Sequence, residues 1–354
     1  MFGLDMRAVR AIWTAIVMLG GLYCVYRMRT TLLVVLFAVF FSYLIYPLFE
    51  LISRRVGPRV SRTVILLGVF VVILGLIVLL VFLFGSTFAD QAAGLAQELP
   101  RLLEPGTLAK RLPLPHLLEP FRERLAGSLR EALASGLSQA LPAAQRLGAS
   151  LVHAAGNMIY VVVVPIFSFL MIRAAPAVEA WLAAASRSDK LALWVSVAHD
   201  LNYLLSRYVR ALGLLSLAAL IAYSSVLSLL GAPFALLLAG VAALLEVIPV
   251  FGPLTAAVAI LTVAAFSGYE HIWWLLMFLV AYRLVQDYMF SPYLMSEGVD
   301  VPAILVVFGI LAGDELAGVA GIFLSVPTIA AIRIVARRLR TQRAAARSAA
   351  QSEP

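Results

Sequence analysis

Residues 63–84, TVILLGVFVVILGLIVLLVFLF, form an apolar run without a single charged side chain. A helix of this length crosses a bilayer core of about 30 Å, so the run predicts a membrane-spanning helix. The rest of the chain has the same character, because 63% of its 354 residues are hydrophobic and only 13% are charged. Soluble domains carry about 25% charged residues. A soluble globular protein is therefore excluded, and lipid must solvate most of the surface.

Four further apolar runs surround this one, at residues 11–26, 31–52, 151–172 and 211–230. Only Arg27–Thr30 separates the first two runs, which predicts a tight hairpin. Residues 88–150 instead mix charges with six prolines, and predict a small helical extramembrane insert. Residues 177–208 alternate charged and apolar side chains as an amphipathic linker does. The fold class predicted is an all-α, polytopic integral membrane protein.

The C-terminal third differs, because its apolar runs are interrupted. Residues 234–248 and 254–266 flank a Pro- and Gly-containing break, and residues 301–311 and 316–334 flank Gly313-Asp314-Glu315. The pieces of the first pair have about 14 residues each, whereas a span needs about 20. A shorter uninterrupted apolar run lies between the two pairs, at residues 272–288. If each pair is one broken helix, the chain has about eight transmembrane segments. If each pair is a re-entrant helical hairpin, it has six segments plus two hairpins.

Basic residues predict the orientation. The formal net charge is +8, and its arginines concentrate in short loops and in the C-terminal tail, which in membrane proteins stay cytoplasmic. Both termini are therefore expected inside and the insert outside, and nucleic-acid binding is not favoured. The predicted division of the chain is N-terminal helices 1–87, extramembrane domain 88–150, helices and linker 151–230, candidate transport core 231–336 and basic tail 337–354.

Polar residues beside the interrupted helices are the candidate site. Ionisable groups at membrane depth are functional candidates by default, and broken helices expose backbone groups that can bind a polar substrate or an ion. The predicted pathway residues are Glu246, Pro249, Gly252, Pro253, Gln286 and Asp287, with Gly313, Asp314 and Glu315 at the second break.

Structural alternatives stay open for several of these residues. Glu246 could lie near the membrane surface or cap the break, and Asp287 could pair with Arg283 one helical turn earlier. Asp314 and Glu315 could cap the helix that follows them.

No sequence pattern indicates catalysis or a cofactor. Cys24 is the only cysteine, and the four histidines are scattered without metal-ligand spacing. The chain contains no phosphate-binding P-loop, no zinc-protease motif and no hydrolase nucleophile motif. We therefore expect no enzyme activity, no metal and no cofactor.

Several short motifs resemble one known family. They are Leu244–Ile248 followed by Pro249-Val250-Phe251-Gly252-Pro253, then Val285-Gln286-Asp287-Tyr288 with Ser291-Pro292, Val301-Pro302, and Gly318 to Pro327. Together they are similar to the autoinducer-2 exporter family across essentially the whole chain. The resemblance implies a multi-pass permease of the bacterial inner membrane that exports the signal autoinducer-2 or exchanges sodium for protons.

The function predicted is a secondary transporter, expected to be a homo-oligomer, that exports a small polar molecule resembling autoinducer-2 by alternating access. A sodium/proton antiporter of the same family is the first alternative. A non-transporting membrane scaffold, which would bind a partner through residues 88–150, is the alternative from another class.

Overall fold

The computed structural model describes residues 6–57, 60–102, 158–186, 189–248, 251–290 and 302–352. Regular structure in these ranges is entirely helical, which confirms the all-α prediction. The helices are α1 (Met6–Arg27), α2 (Arg29–Val56), α3 (Arg62–Leu102), α4 (Met158–Ala185), α5 (Asp189–Leu229), α6 (Ala235–Leu245), α7 (Phe251–Phe266), α8 (Ile272–Val285), α9 (Ala303–Ala317) and α10 (Val319–Ser352). One π-helical turn, Gln286–Phe290, continues α8.

Four of the described helices are long and apolar enough to cross a membrane. These segments are Thr31–Val56, Arg62–Glu98, Val162–Ala185 and Leu191–Leu229. Large apolar side chains point outward from them, such as Phe82, which is 82% exposed. Exposing so much apolar surface to water would be unfavourable, whereas contact with lipid tails is not. The prediction of a polytopic membrane protein is confirmed.

The expected hairpin between the first two apolar runs is not formed. Met28 has φ −91° and ψ 8°, and helical hydrogen bonds continue across it from Met28 N–H to the Cys24 carbonyl and from Leu32 N–H to the Met28 carbonyl. The arginines on either side favour water but do not break a helix. The chain therefore passes from α1 into α2 without reversing, and the hairpin prediction is wrong.

Helices α3 and α5 have 41 residues each and run beyond their apolar segments. Helix α3 continues through residues 88–102, so the predicted boundary at residue 87 falls inside it. The rest of the predicted insert lies outside the described residues. Helix α5 joins part of the predicted amphipathic linker to the following span. A change from apolar to polar composition marked both predicted boundaries, but it does not by itself end a helix.

Two hydrophobic clusters hold the described helices together. One joins α2, α3 and α4 through residues such as Phe49, Leu66 and Ile172. The other joins α5, α6, α7 and α8, with Leu227 and Leu275 fully buried in it. The second cluster surrounds the candidate site.

The first interrupted pair, α6 and α7, is a helical hairpin. The Tyr269 hydroxyl, just after α7, donates a hydrogen bond to the carbonyl of Leu230, just before α6. Gly231 and Gly268, which both have positive φ, line one cleft there. The chain thus enters and leaves on the same side, and Glu246, which follows α6, lies at the opposite end, the hairpin's tip. We call α6 and α7 hairpin 1.

The second pair, α9 and α10, is also a hairpin. A Cβ built on Gly313 would lie 2.4 Å from the Gly321 carbonyl oxygen, and one built on Gly309 would lie 3.3 Å from Ser325 Cβ. In each of these two pairs, the two residues are equally far in sequence from residue 317, which is the pattern of two antiparallel helices. Small residues allow the backbones to approach. Both pairs therefore have the shape of hairpins, not of single broken helices.

A bidentate ion pair joins the polar ends of α5 and α10. Arg338 Nε donates to Asp200 Oδ2 at 2.6 Å, and Arg338 Nη2 donates to Asp200 Oδ1 at 2.9 Å. The charged first half of α5 and the basic C-terminal helix are therefore on the same side of the molecule.

Candidate functional site

Glu246 and Gln286 meet in the interior although 40 residues separate them in the chain. Glu246 ends α6 at the tip of hairpin 1, and only 6% of it is exposed. Gln286 begins the π-helical turn after α8, and only 3% of it is exposed. The Gln286 Nε2 amide donates a hydrogen bond to Glu246 Oε1. The structure therefore brings these two predicted site residues together.

Gln286 faces inward because it continues the buried face of α8, on which Leu275, Leu279 and Tyr282 are also buried. A π turn inserts one extra residue into a helix and rotates the side chains that follow, and such turns are frequent at functional sites. The π-helical turn begins at Gln286, and Asp287, the next residue, is exposed.

Aromatic residues form the walls of the site. The rings of Tyr223 on α5 and Tyr282 on α8 are in edge contact at 5.0 Å, and Phe278 packs against Tyr223 at 5.3 Å. Both tyrosines are at least nine-tenths buried, and both are close enough to Glu246 to interact with its charge. Neither the Tyr282 hydroxyl nor Gln286 Oε1 has a hydrogen-bond partner among the residues described.

Asp287 pairs with Arg283 instead of joining the buried pair. The Arg283 Nε to Asp287 Oδ2 distance is 2.8 Å, and the two side chains are 41% and 44% exposed. This is the i,i+4 pair that the sequence analysis kept as the structural alternative. Glu246 therefore has a neutral amide as its hydrogen-bond partner, and the nearest described cation is already paired with another carboxylate.

Gly252 and Pro253 shape the hairpin tip. A Cβ on Gly252 would lie only 1.7 Å from the Leu245 carbonyl oxygen, so no other residue fits without moving the backbone. Pro253 is buried in the first turn of α7, where its missing N–H costs no helical hydrogen bond. Pro249, another predicted pathway residue, lies outside the described residues.

The second break is not at Gly313-Asp314-Glu315, as the sequence analysis expected. These residues belong to α9, and the chain turns at Gly318, which has φ 58° and ψ −140°. Acidic residues do not stop a helix, whereas a glycine with positive φ does. Asp314 and Glu315 are exposed in the last turns of α9, before the turn at Gly318. Gly313 serves close packing against Gly321.

Gln91 of α3 contacts hairpin 1, and the sequence analysis missed this contact. Its side-chain oxygen accepts a hydrogen bond from the Leu237 N–H of α6 at 2.9 Å. A single glutamine in a polar segment gives no sequence signal for such a contact.

These features define the class of protein: a polytopic helical membrane protein whose only described buried carboxylate lies at the tip of an intramembrane hairpin. Residues 12–341 match the model of the AI-2E family transporters. The chain therefore belongs to the AI-2E transporter family.

Two relatives carry transport-protein names. "Putative transport protein YrrI" of Bacillus subtilis (strain 168) is 27% identical over 105 residues, which are 30% of this chain and 30% of that protein. "Putative transport protein MT0215" of Mycobacterium tuberculosis (strain CDC 1551 / Oshkosh) is 33% identical over 126 residues, 35% of this chain and 34% of that protein. The matched segments thus span about a third of each relative.

Proposed function

We propose that this protein is a secondary transporter of the bacterial inner membrane that exports a small polar molecule by alternating access. The observation that carries the proposal is the buried Glu246–Gln286 pair at the tip of hairpin 1. We place the coupling site at this pair, and both termini on the cytoplasmic side.

The pair suits a group that changes its protonation state inside a membrane. A buried carboxylate is stable only if it is hydrogen-bonded or neutral. The Gln286 amide carries both donors and an acceptor, so it can donate to ionised Glu246 or accept from protonated Glu246. Glu246 could therefore bind and release a proton without losing its partner, which is what coupling substrate movement to a proton gradient requires.

Sodium/proton exchange remains the second candidate, and the oxygen-rich lining favours it. The Glu246 carboxylate, Gln286 Oε1 and the Tyr282 hydroxyl offer oxygen ligands, which hard cations prefer. Asp287 is a weaker candidate for an ion site, since Arg283 already neutralises it.

The test is proton movement in proteoliposomes that contain a pH-sensitive dye. Sodium gradients and proton gradients are imposed separately, with and without candidate polar substrates. Glu246→Gln should reduce coupled proton movement to the level of empty liposomes, because an amide cannot take up the proton. Glu179→Gln is the control, because it removes an exposed carboxylate on α4, outside the candidate site, and should retain flux.

Unchanged proton movement in Glu246→Gln would refute the coupling role. Proton movement driven by sodium alone would favour the antiporter over the exporter. Deletion of residues 103–150 tests the scaffold alternative, since a transporter should keep some flux without the insert.

A further inference from the structure

The entry into hairpin 1 is a strained point. Phe234, which precedes α6, has φ 53° and ψ 35°, and it is the one non-glycine residue with positive φ among those described. The left-handed region is sterically unfavourable for a residue with a Cβ. Phe234 also provides no side-chain cap for α6. Neighbouring groups must therefore hold this conformation.

One face of α3 supplies the missing cap. The first four N–H groups of a helix have no partner within it. Leu237 is the third residue of α6, and its N–H donates to the Gln91 side-chain oxygen at 2.9 Å. Gln91 therefore does from another helix what an N-cap residue normally does from the same chain segment.

Packing on either side of Gln91 completes the contact. The Phe88 ring lies against Gly240, where an added Cβ would be 2.6 Å from the ring. Gly94 leaves room for the Phe234 ring, because a Cβ added to Gly94 would lie only 3.2 Å from that ring. Phe88, Gln91 and Gly94 are three residues apart in turn and share one side of α3. We call them the α3 contact face.

We propose that the α3 contact face fixes the position of hairpin 1 and that Gln91 is a positioning residue for the Glu246–Gln286 pair. Helix α6 is a rigid rod of 11 residues, with the Gln91 contact at its start and Glu246 at its end. A shift at the start therefore moves the carboxylate at the tip. The consequence for flux rests on the function proposed above, whereas the positioning itself does not.

Amide hydrogen exchange of the full-length protein in lipid nanodiscs tests the positioning. Gln91→Leu removes the acceptor, Gln91→Glu keeps one, and Gln97→Leu is the matched control on an exposed part of α3. Removal of a helix cap weakens the first turn about fivefold. Exchange across 234–245 should therefore rise about fivefold in Gln91→Leu, with no rise in α9 and α10, and should stay unchanged in the other two variants.

Unchanged exchange in α6 of Gln91→Leu would overturn the proposal, and so would an equal rise in α9 and α10. If Gln91→Leu does not fold, Phe88→Ala is measured against the same criteria, because it removes the ring beside Gly240. In the flux assay, Gln91→Leu should lower coupled proton movement. Gln91→Glu, which keeps an acceptor, should leave it at the wild-type level. If Glu246→Gln retains flux, the proposed function fails while the exchange result still decides the positioning.

Discussion

The Glu246–Gln286 hydrogen bond should show strong non-additivity when its two side chains are replaced. Both residues are more than nine-tenths buried, so water cannot replace a lost partner. Gln286→Leu leaves the buried carboxyl of Glu246 without its donor. Loss of a hydrogen bond to a charged group costs about 1.5–3 kcal/mol, and leaving a buried polar group unsatisfied costs about 1–3 kcal/mol. We therefore expect Gln286→Leu to lower the free energy of unfolding by about 2–4 kcal/mol.

The double variant Glu246→Leu/Gln286→Leu should be more stable than Gln286→Leu alone. It removes both polar groups, and replacing two buried partners with apolar side chains is often nearly neutral. The coupling energy of the cycle should therefore be at least about 1 kcal/mol, well above the few tenths expected of independent sites.

The assay is equilibrium unfolding in detergent of the wild type, both single variants and the double variant. Asp287→Asn is measured in parallel, and should cost less than about 1 kcal/mol because its ion pair is exposed. Additive effects of the two leucine substitutions would refute the reasoning, since they would mean that the two side chains do not stabilise each other.

Three further predictions concern two glycines at close backbone contacts and the Arg338–Asp200 ion pair. Gly252→Ala should destabilise the protein by about 1–3 kcal/mol in the same unfolding assay, because its Cβ would lie 1.7 Å from the Leu245 carbonyl oxygen. Gly75→Ala is the control, since no atom lies within 4 Å of its Cβ position. Gly321→Ala should cost a similar amount and raise hydrogen exchange in α9 and α10, because its Cβ would lie 1.8 Å from the α9 backbone. Arg338→Gln should cost no more than about 1 kcal/mol, and Arg338→Lys should not restore the bidentate bond; a larger loss of stability in Arg338→Gln would show that this contact is more than a surface ion pair.

The sequence was sufficient to find the polar residues within the apolar runs, but not to predict how they are arranged. Glu246 and Gln286 could be predicted because each interrupts an apolar run, where a polar group is costly. Their contact could not be predicted, because it depends on how hairpin 1 packs against α8, and 40 residues separate the two side chains in the chain. Asp287 shared the same sequence signal and yet is exposed and paired with Arg283.

Helix ends were predicted less well than helices, for a related reason. The sequence analysis took Asp314 and Glu315 for a break because charge interrupts an apolar pattern, whereas the backbone turns at Gly318. A change in polarity marks where a helix leaves its apolar surroundings, and a glycine with positive φ marks where it ends. The same distinction explains why α3 continues past residue 88, and why Gln91 can reach α6.

Helix lengths indicate how deep the buried pair lies. Helices α6 and α8 both begin at the cleft lined by Pro233 and His271. At 1.5 Å per residue, the 11 residues of α6 place Glu246 about 16 Å from that level, and the 14 residues of α8 place Gln286 about 21 Å from it. A bilayer core is about 30 Å thick. Measured from a cleft at the edge of this core, the pair lies about 50–70% of the way across. A carboxylate at that depth is far from water on both sides, so the alternating access proposed above requires hairpin 1 or its neighbours to move far enough to open the pair to one side at a time.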